Sequence, residues 1–389
     1  MNASTAVPAP DFTRLPDLAS RALAGSVVAA NDELFAEREN RIKPGRAVFS
    51  AEDFGHKGKT YDGWETRRRR EPGNDWAIVR LGVPGVVRGV DIDTQWFRGN
   101  YPPQGSVEGA SLPQAASVEE LTTAEWVTLV ERSDLAGDTD NYFEVSHPGR
   151  FTHVRLSIYP DGGVARFRVH GDPVPDPRLM TGTIDLAALE HGGDVVDCSN
   201  MFYSSPLQLL QPGRARIMGD GWENARRRDD GNDHVTVKLG ARGVVRRIEV
   251  DTSYFVGNAP GWARLSGVDA GDGDVDDPGS WTELVPRTRL QPDTRHFFRV
   301  PRGAALTHVR LDVYPDGGLA RLRIHGEVDQ TSLAAATVAW LDLLPEAEAR
   351  QLLVEEAGMT DEDSERIVAS RPLAGGGLPE GVVRRLLGE

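Results

Sequence analysis

Two stretches of the chain alternate apolar and polar residues with a period of two. In THVRLSIY (152–159), Val154, Leu156 and Ile158 share one side; PDGG follows, and VARFRVH alternates again from Ala165 to Val169. A period of two puts every second side chain on one face of a strand. A turn that opens on proline and closes on glycines joins the runs into a hairpin. The same hairpin is written again as THVRLDVYPDGGLARLRIHG, from Thr307 to Gly326. WAIVRLG (76–82) and VVRGVDIDT (86–94) read as further short strands divided by a Pro-Gly turn. After Gly326 the spacing becomes helical in SLAAATVAWLDLLPEAEARQLLVEEAG, TDEDSERIVAS and LPEGVVRRLLGE, with a Thr-x-x-Asp start and a Gly-Gly-Gly break.

The recurrence extends well beyond the hairpin. Sliding Asp62 onto Asp220 aligns the chain without a gap as far as Gly109 and Gly267, with half of the positions identical. Upstream, VVAANDELFAERENRIKPGRA (27–47) lies over VVDCSNMFYSSPLQLLQPGRA (195–215). Ala47 to Asp62 is fifteen steps and Ala215 to Asp220 is five, so the first copy is ten residues longer there and gains His56, Lys57 and Lys59. Each copy is the size of an ordinary domain. The predicted fold is therefore all-β: two tandem jelly-roll β-sandwich repeats, 26–172 and 195–327, with a small helical C-terminal appendage, 328–389. Residues 1–25 form an N-terminal segment and the proline-rich 173–194 a linker.

Composition narrows the function classes. The 389 residues are 39% hydrophobic, enough for packed cores, and carry a formal net charge of -15. A field of that sign repels nucleic acid and anionic membrane, so neither is expected as a partner. Cys198 is the sole cysteine; it rules out an intramolecular disulfide framework, suits a reducing cytoplasm and reads as a small buried residue. Neither an export signal nor an apolar run of about eighteen residues is visible. The expected location is cytoplasmic.

Against that acidic background stand DGWETRRRREPGND (62–75) and its copy DGWENARRRDDGND (220–233). Each combines carboxylates, tryptophan, a run of arginines and an Asn-Asp pair between glycines, in a connection that precedes a strand. In an extended segment neighbouring side chains alternate, so Arg68 and Arg70 are expected to converge while Arg69 points away. Two readings stay open. The arginines hold a planar carboxylate bidentately, beside a carboxylic acid that moves a proton; or they pair with Glu65, Asp75 and their copies as packing between loop and sheet. In VDIDTQWFRGN and IEVDTSYFVGN, Asp93 and Thr94 suit a turn, Phe97 and Phe255 suit the core, and Asn100 and Asn258 are weaker site candidates. His153, His170, His308 and His325 fall in strands and read as hydrogen-bonded structural residues. No metal-ligand, phosphate-loop, dinucleotide or nucleophile-elbow motif is present, so no metal is expected and any cofactor is left unassigned.

These paired blocks, preceded by PDLASRALAGSVVAANDELFAERENRIKPG, closely resemble the allantoicase family from about Asp11 to Gly326. The resemblance implies tandem jelly rolls, allantoate as small-molecule substrate, and hydrolysis to ureidoglycolate and urea in purine degradation; a homo-oligomer is expected. For that chemistry Glu65 or Glu223 would protonate the departing urea and Asp75 or Asp233 would direct water. Arg68 and Arg70, or Arg226 and Arg228, would hold the carboxylate. Lys59, Asn74, Asn232, Asn100 and Asn258 complete the expected binding set. His234 replaces Trp76 and Ala225 replaces Arg67 in the second copy, so either one copy is catalytic or a site is shared. The alternative is a non-enzymatic module that binds a sugar or another small ligand through its end loops.

Overall fold

The computed structural model describes residues 9–388 apart from 51, 53, 56, 57, 60, 114, 302, 304 and 374–377; His56 and Lys57 of the first-copy insertion thus lie outside the described residues. The chain divides into two compact units, Met1–Val174 and Pro175–Glu389. Each contains an antiparallel jelly-roll sandwich built around one long strand.

In the first unit that strand is Asp75–Asp93. Its first half lies between Ser26–Ala30 and Arg150–Tyr159, with Gln104–Ala110 and Val127–Asp134 beyond. Its second half pairs instead with Arg166–Pro173 and Tyr142–Glu144. One strand therefore serves both layers. The two short strands expected from the pattern are one continuous element, because the Pro-Gly dipeptide lies at a bend where the register slips between Arg80 and Gly85 and prolines are tolerated. Glycine is required at this bend: a Cβ on Gly82 would sit 1.9 Å from the Leu23 carbonyl oxygen. Val79, Val90, Ile92, Val107, Leu156, Ile158 and Phe167 are buried and form the core. Such side chains contribute about 1.5–3 kcal/mol each.

The second unit repeats this plan around Asp233–Asp251, with Asp194–Cys198, Leu306–Tyr314, Trp262–Val268 and Thr282–Arg289 in one layer and Arg321–Val328 and Arg295–Arg299 in the other. Thr183–Asp185 adds to the edge of Arg321–Val328. Here Asp185 Oδ1 accepts from the Ile324 amide at 2.8 Å. The same docking occurs in the first unit, where Asp17 Oδ1 accepts from the Val169 amide at 3.0 Å.

The helical appendage forms as the spacing predicts, as Gln330–Leu343, Glu346–Glu355, Asp361–Ala369 and Glu380–Leu386. Asp329 caps the first helix through the Ser332 amide, and Thr360 caps the third through that of Asp363. Phe97 and Phe255 are core residues, as expected. No helix among the described residues is long and apolar enough to cross a membrane.

Candidate active site

Trp64 is fully buried, with its indole N–H donated to the Asp32 carbonyl at 2.7 Å. Trp64–Glu65 pairs with Gly163–Val164 beside the PDGG turn. From there the chain is strapped to that turn three more times. The Thr66 amide donates to the Gly162 carbonyl, the Arg69 amide to Asp161 Oδ2, and the Asp75 amide to the Pro160 carbonyl. The arginine run is thus an irregular loop and strand alternation does not govern it. Arg69, expected to point away, turns inward, and its Nη1 donates to Asp75 Oδ1 at 2.6 Å. Arg68 and Arg70 are exposed and make no ion pair or hydrogen bond among the described residues. Gly73 has φ +138°, a backbone conformation that favours glycine, and its missing Cβ leaves room for the Arg69 guanidinium.

Asp75 is buried. Its Oδ1 also accepts from Asn31 Nδ2 at 2.9 Å, while its Oδ2 and Arg69 Nε are buried without a hydrogen-bond partner. Buried polar atoms are nearly always partnered, so such orphans need an explanation. Both residues line a cavity of about 480 Å³ with Arg67, Arg68, Arg70, Asn31, Asp32 and Glu71. That volume falls within the roughly 300–1,000 Å³ usual for small-ligand sites.

The remaining candidates lie elsewhere. Glu65 is half-buried and accepts from Asn100 Nδ2 at 2.7 Å; burial pushes its carboxyl above the ordinary value, against the pull of that hydrogen bond. Neither residue lines the arginine cavity. Asn74 donates to the Asp75 carbonyl at 3.2 Å, and Lys59 stacks its ammonium over the Phe49 ring at 4.1 Å. The expected set therefore separates into an arginine–aspartate cavity and a Glu65–Asn100 pair.

The second unit keeps both features with changes. Asn258 donates to Glu223 at 2.6 Å. Arg227 Nε lies 3.4 Å from Asp233 Oδ1 and Ser199 donates to that oxygen at 2.9 Å, while Arg227 Nε and Asp233 Oδ2 are both buried without a hydrogen-bond partner, as Arg69 Nε and Asp75 Oδ2 are in the first unit. Asn232 donates to Asp312 at 3.1 Å, and Arg226 and Arg228 are exposed. Asn200 and Ala225 replace Asp32 and Arg67, removing the ion pair that borders the first-unit cavity.

Among the described residues no cluster of histidine, cysteine, aspartate and glutamate could hold a metal ion. His153 sits 2.9 Å from Thr152 Oγ1, and burial pushes it down to about 4. Cys198 is half-buried rather than buried; burial raises its thiol, which disfavours a nucleophilic thiolate.

Sequence reasoning passed over a second polar cluster, on the outer face of the second layer. Its signal is the cross-strand alternation of Arg-x-Arg-x-His with acid-x-acid: Arg166 is opposite Asp93 and Arg168 opposite Asp91, while Arg321 is opposite Asp251 and Arg323 opposite Glu249. Asp91 is buried, and its carboxyl is pushed up to about 8, chiefly by burial and then by Asp140 and Asp93.

A family model described as "Allantoicase repeat" matches residues 16–174 and 184–329. The chain belongs to the allantoicase family. A Streptomyces avermitilis protein named "Probable allantoicase" is 51% identical over 346 residues, 85% of this chain and 90% of its own. The allantoicase of Dictyostelium discoideum is 42% identical over 320 residues, 79% of this chain and 86% of its own. The crystal structure of Saccharomyces cerevisiae allantoicase superposes with a TM-score of 0.69 at 34% identity, over 80% of this chain and 92% of that one. The allantoicase repeats begin just before Asp17 and Asp185, the two aspartates that dock onto the sheets, and the second ends at the cap of the first appendage helix.

Proposed function

We propose that this allantoicase-family chain hydrolyses allantoate to ureidoglycolate and urea in the arginine cavity of its first unit. The observation that carries the reading is the first-unit cavity, where two arginines without protein partners among the described residues and the Asp32–Arg67 ion pair border the buried, unpartnered atoms Asp75 Oδ2 and Arg69 Nε; the second unit keeps the orphaned atoms but, with Asn200 and Ala225, has lost the ion pair. Allantoate carries one carboxylate and two ureido groups on a central carbon. Arg68 and Arg70 receive the carboxylate, since neither guanidinium is committed to the protein. Glu71, also exposed, accepts from ureido N–H groups.

Asp75 then directs a water at the central carbon. The carbon–oxygen bond forms as the carbon–nitrogen bond breaks; the water proton taken by Asp75 passes to the departing urea nitrogen, so one carboxylate serves as base and then as acid. Arg69 holds Asp75 in place. Glu65, outside the cavity lining, becomes a positioning residue that ties the start of the loop to the Gly-Asn turn at Asn100. Glu65→Gln keeps an oxygen for Asn100 and retains most turnover in this scheme, whereas a proton donor at Glu65 would lose it. We also place the enzyme in the cytoplasm, in keeping with its lone cysteine. Incubation of the purified protein with allantoate should release urea; a folded protein that releases none would overturn the reading.

A further inference from the structure

The outer polar faces of the two units are finished differently. In the first, Phe12 lies across the face, 6.0 Å from the His170 ring and 6.2 Å from that of Tyr142, and occupies the space above Gly89, where a Cβ would come within 2.4 Å of the phenyl ring. Arg46 is held bidentately by Asp140 at 2.7 and 3.0 Å. Arg168 is spent on Asp17 and on the carbonyls of Lys43, Pro44 and Gly45. The first face is covered and its cations are committed.

In the second unit the residue matching Phe12 is Met180, counted from the shared Asp-Leu-Ala at 17 and 185. Its short turn, Pro177–Met180, packs instead on the appendage helix Gln330–Leu343, where Arg178 lies over Trp340 at 5.0 Å and clasps Glu356 at 2.6 and 2.7 Å. Arg247 stands in place of Gly89, and Arg295 in place of Asp140. The face opens into a cavity of about 530 Å³.

Three of its carboxylates, the buried Glu249 and Asp251 and the half-buried Asp185, are already engaged. Glu249 takes Arg295 at 2.6 and 3.0 Å, Asp185 takes Arg323 at 3.3 Å, and Asp251 accepts from the Ser253 amide at 2.8 Å. Arg321 donates to the carbonyls of Gln208, Gly213 and Asp220. Two lining guanidiniums are left over: Arg214 and Arg247 are exposed and make no ion pair or hydrogen bond among the described residues. Counting the lining residues, five arginines face the acids Asp185, Glu190, Glu249 and Asp251, a local cationic excess in a chain of net charge -15. Glu190, half-buried at the wall, can accept from N–H groups.

We propose that this second-unit cavity is a separate binding site for a small carboxylate bearing ureido groups, anchored by Arg214 and Arg247. It binds without turnover, because the buried acids Glu249 and Asp251 are already engaged and Glu190, at the half-buried wall, takes the ureido N–H groups. The proposal rests on the function argued above only for its choice of probe.

Isothermal titration of the whole protein with ureidoglycolate tests it, using Arg214→Ala/Arg247→Ala beside Arg68→Ala/Arg70→Ala. Wild type is expected to show a binding event that the first double variant weakens about tenfold or more and the second leaves in place. Urea release by Arg214→Ala/Arg247→Ala stays at the wild-type kcat. Both arginines are exposed, so the melting temperature should hold; Arg214→Gln/Arg247→Gln repeats the test if the alanines disturb it. Titrations of the second-unit variants that match wild type, or no binding by wild type at all, would overturn the site. Failure of the first-unit reading appears separately, as protein that binds through Arg214 and Arg247 yet releases no urea.

Discussion

Asp75 combines two conditions that oppose each other in an ordinary side chain: it is buried, and one of its oxygens has nothing to bond. Leaving a buried acceptor unsatisfied costs about 1–3 kcal/mol, a cost that a bound water or substrate N–H would remove. Arg68→Ala/Arg70→Ala should raise KM for allantoate with little change in melting temperature, since neither side chain is tied to the protein; an unchanged KM would contradict their role. Asp91 predicts a pH dependence of stability. Its carboxyl, at about 8 when folded against 3.8 ordinarily, keeps its proton where the unfolded chain has released it. Stability is therefore lost as pH rises from about 4 to about 8. Asp91→Asn cannot ionise, so thermal melts should place it above wild type at pH 8 and level with it near pH 4; a pH-independent gap would contradict the assignment. Residue identity was easier to read than direction. The run of arginines stood out, but the inward turn of Arg69 depends on Asp161 and Gly162, roughly ninety positions away, and no local spacing encodes that contact.

At the scale of elements, the hairpins were readable because a period of two and a PDGG turn admit few other structures. The long strand was not. Pro84 and Gly85 have the composition of a turn, yet the backbone passes through them and changes layers, held by close approaches that only glycine permits: 1.9 Å at Gly82 and 2.3 Å at Gly85 for an added Cβ. The atoms in the way are backbone carbonyls of Leu23 and Asp172, which cannot rotate aside. Gly82→Ala should therefore cost about 1–3 kcal/mol or more in denaturant unfolding. A midpoint equal to wild type would show that the bend is looser than described. The outer polar clusters escaped notice for a related reason. Arginine and aspartate alternating with apolar residues look like the solvated side of a strand, and only cross-strand register brings Arg321 against Asp251 and Arg323 against Glu249.

For the whole molecule, duplication was visible from identity alone, while the proposed division of labour between copies rests on a few replacements. Ala225 and Asn200 remove an ion pair beside the second arginine loop, and Arg247 with a displaced Met180 opens a face that Gly89 and Phe12 close in the first unit. The helical appendage, outside the family match, provides the surface on which the displaced turn rests. On this account chemistry belongs to one copy. The most direct test is urea release from allantoate by Asp75→Asn and, separately, Asp233→Asn. Asp75→Asn should lose roughly 10²–10⁴-fold in kcat while Asp233→Asn keeps wild-type turnover; an active Asp75→Asn beside an inactive, folded Asp233→Asn would contradict it.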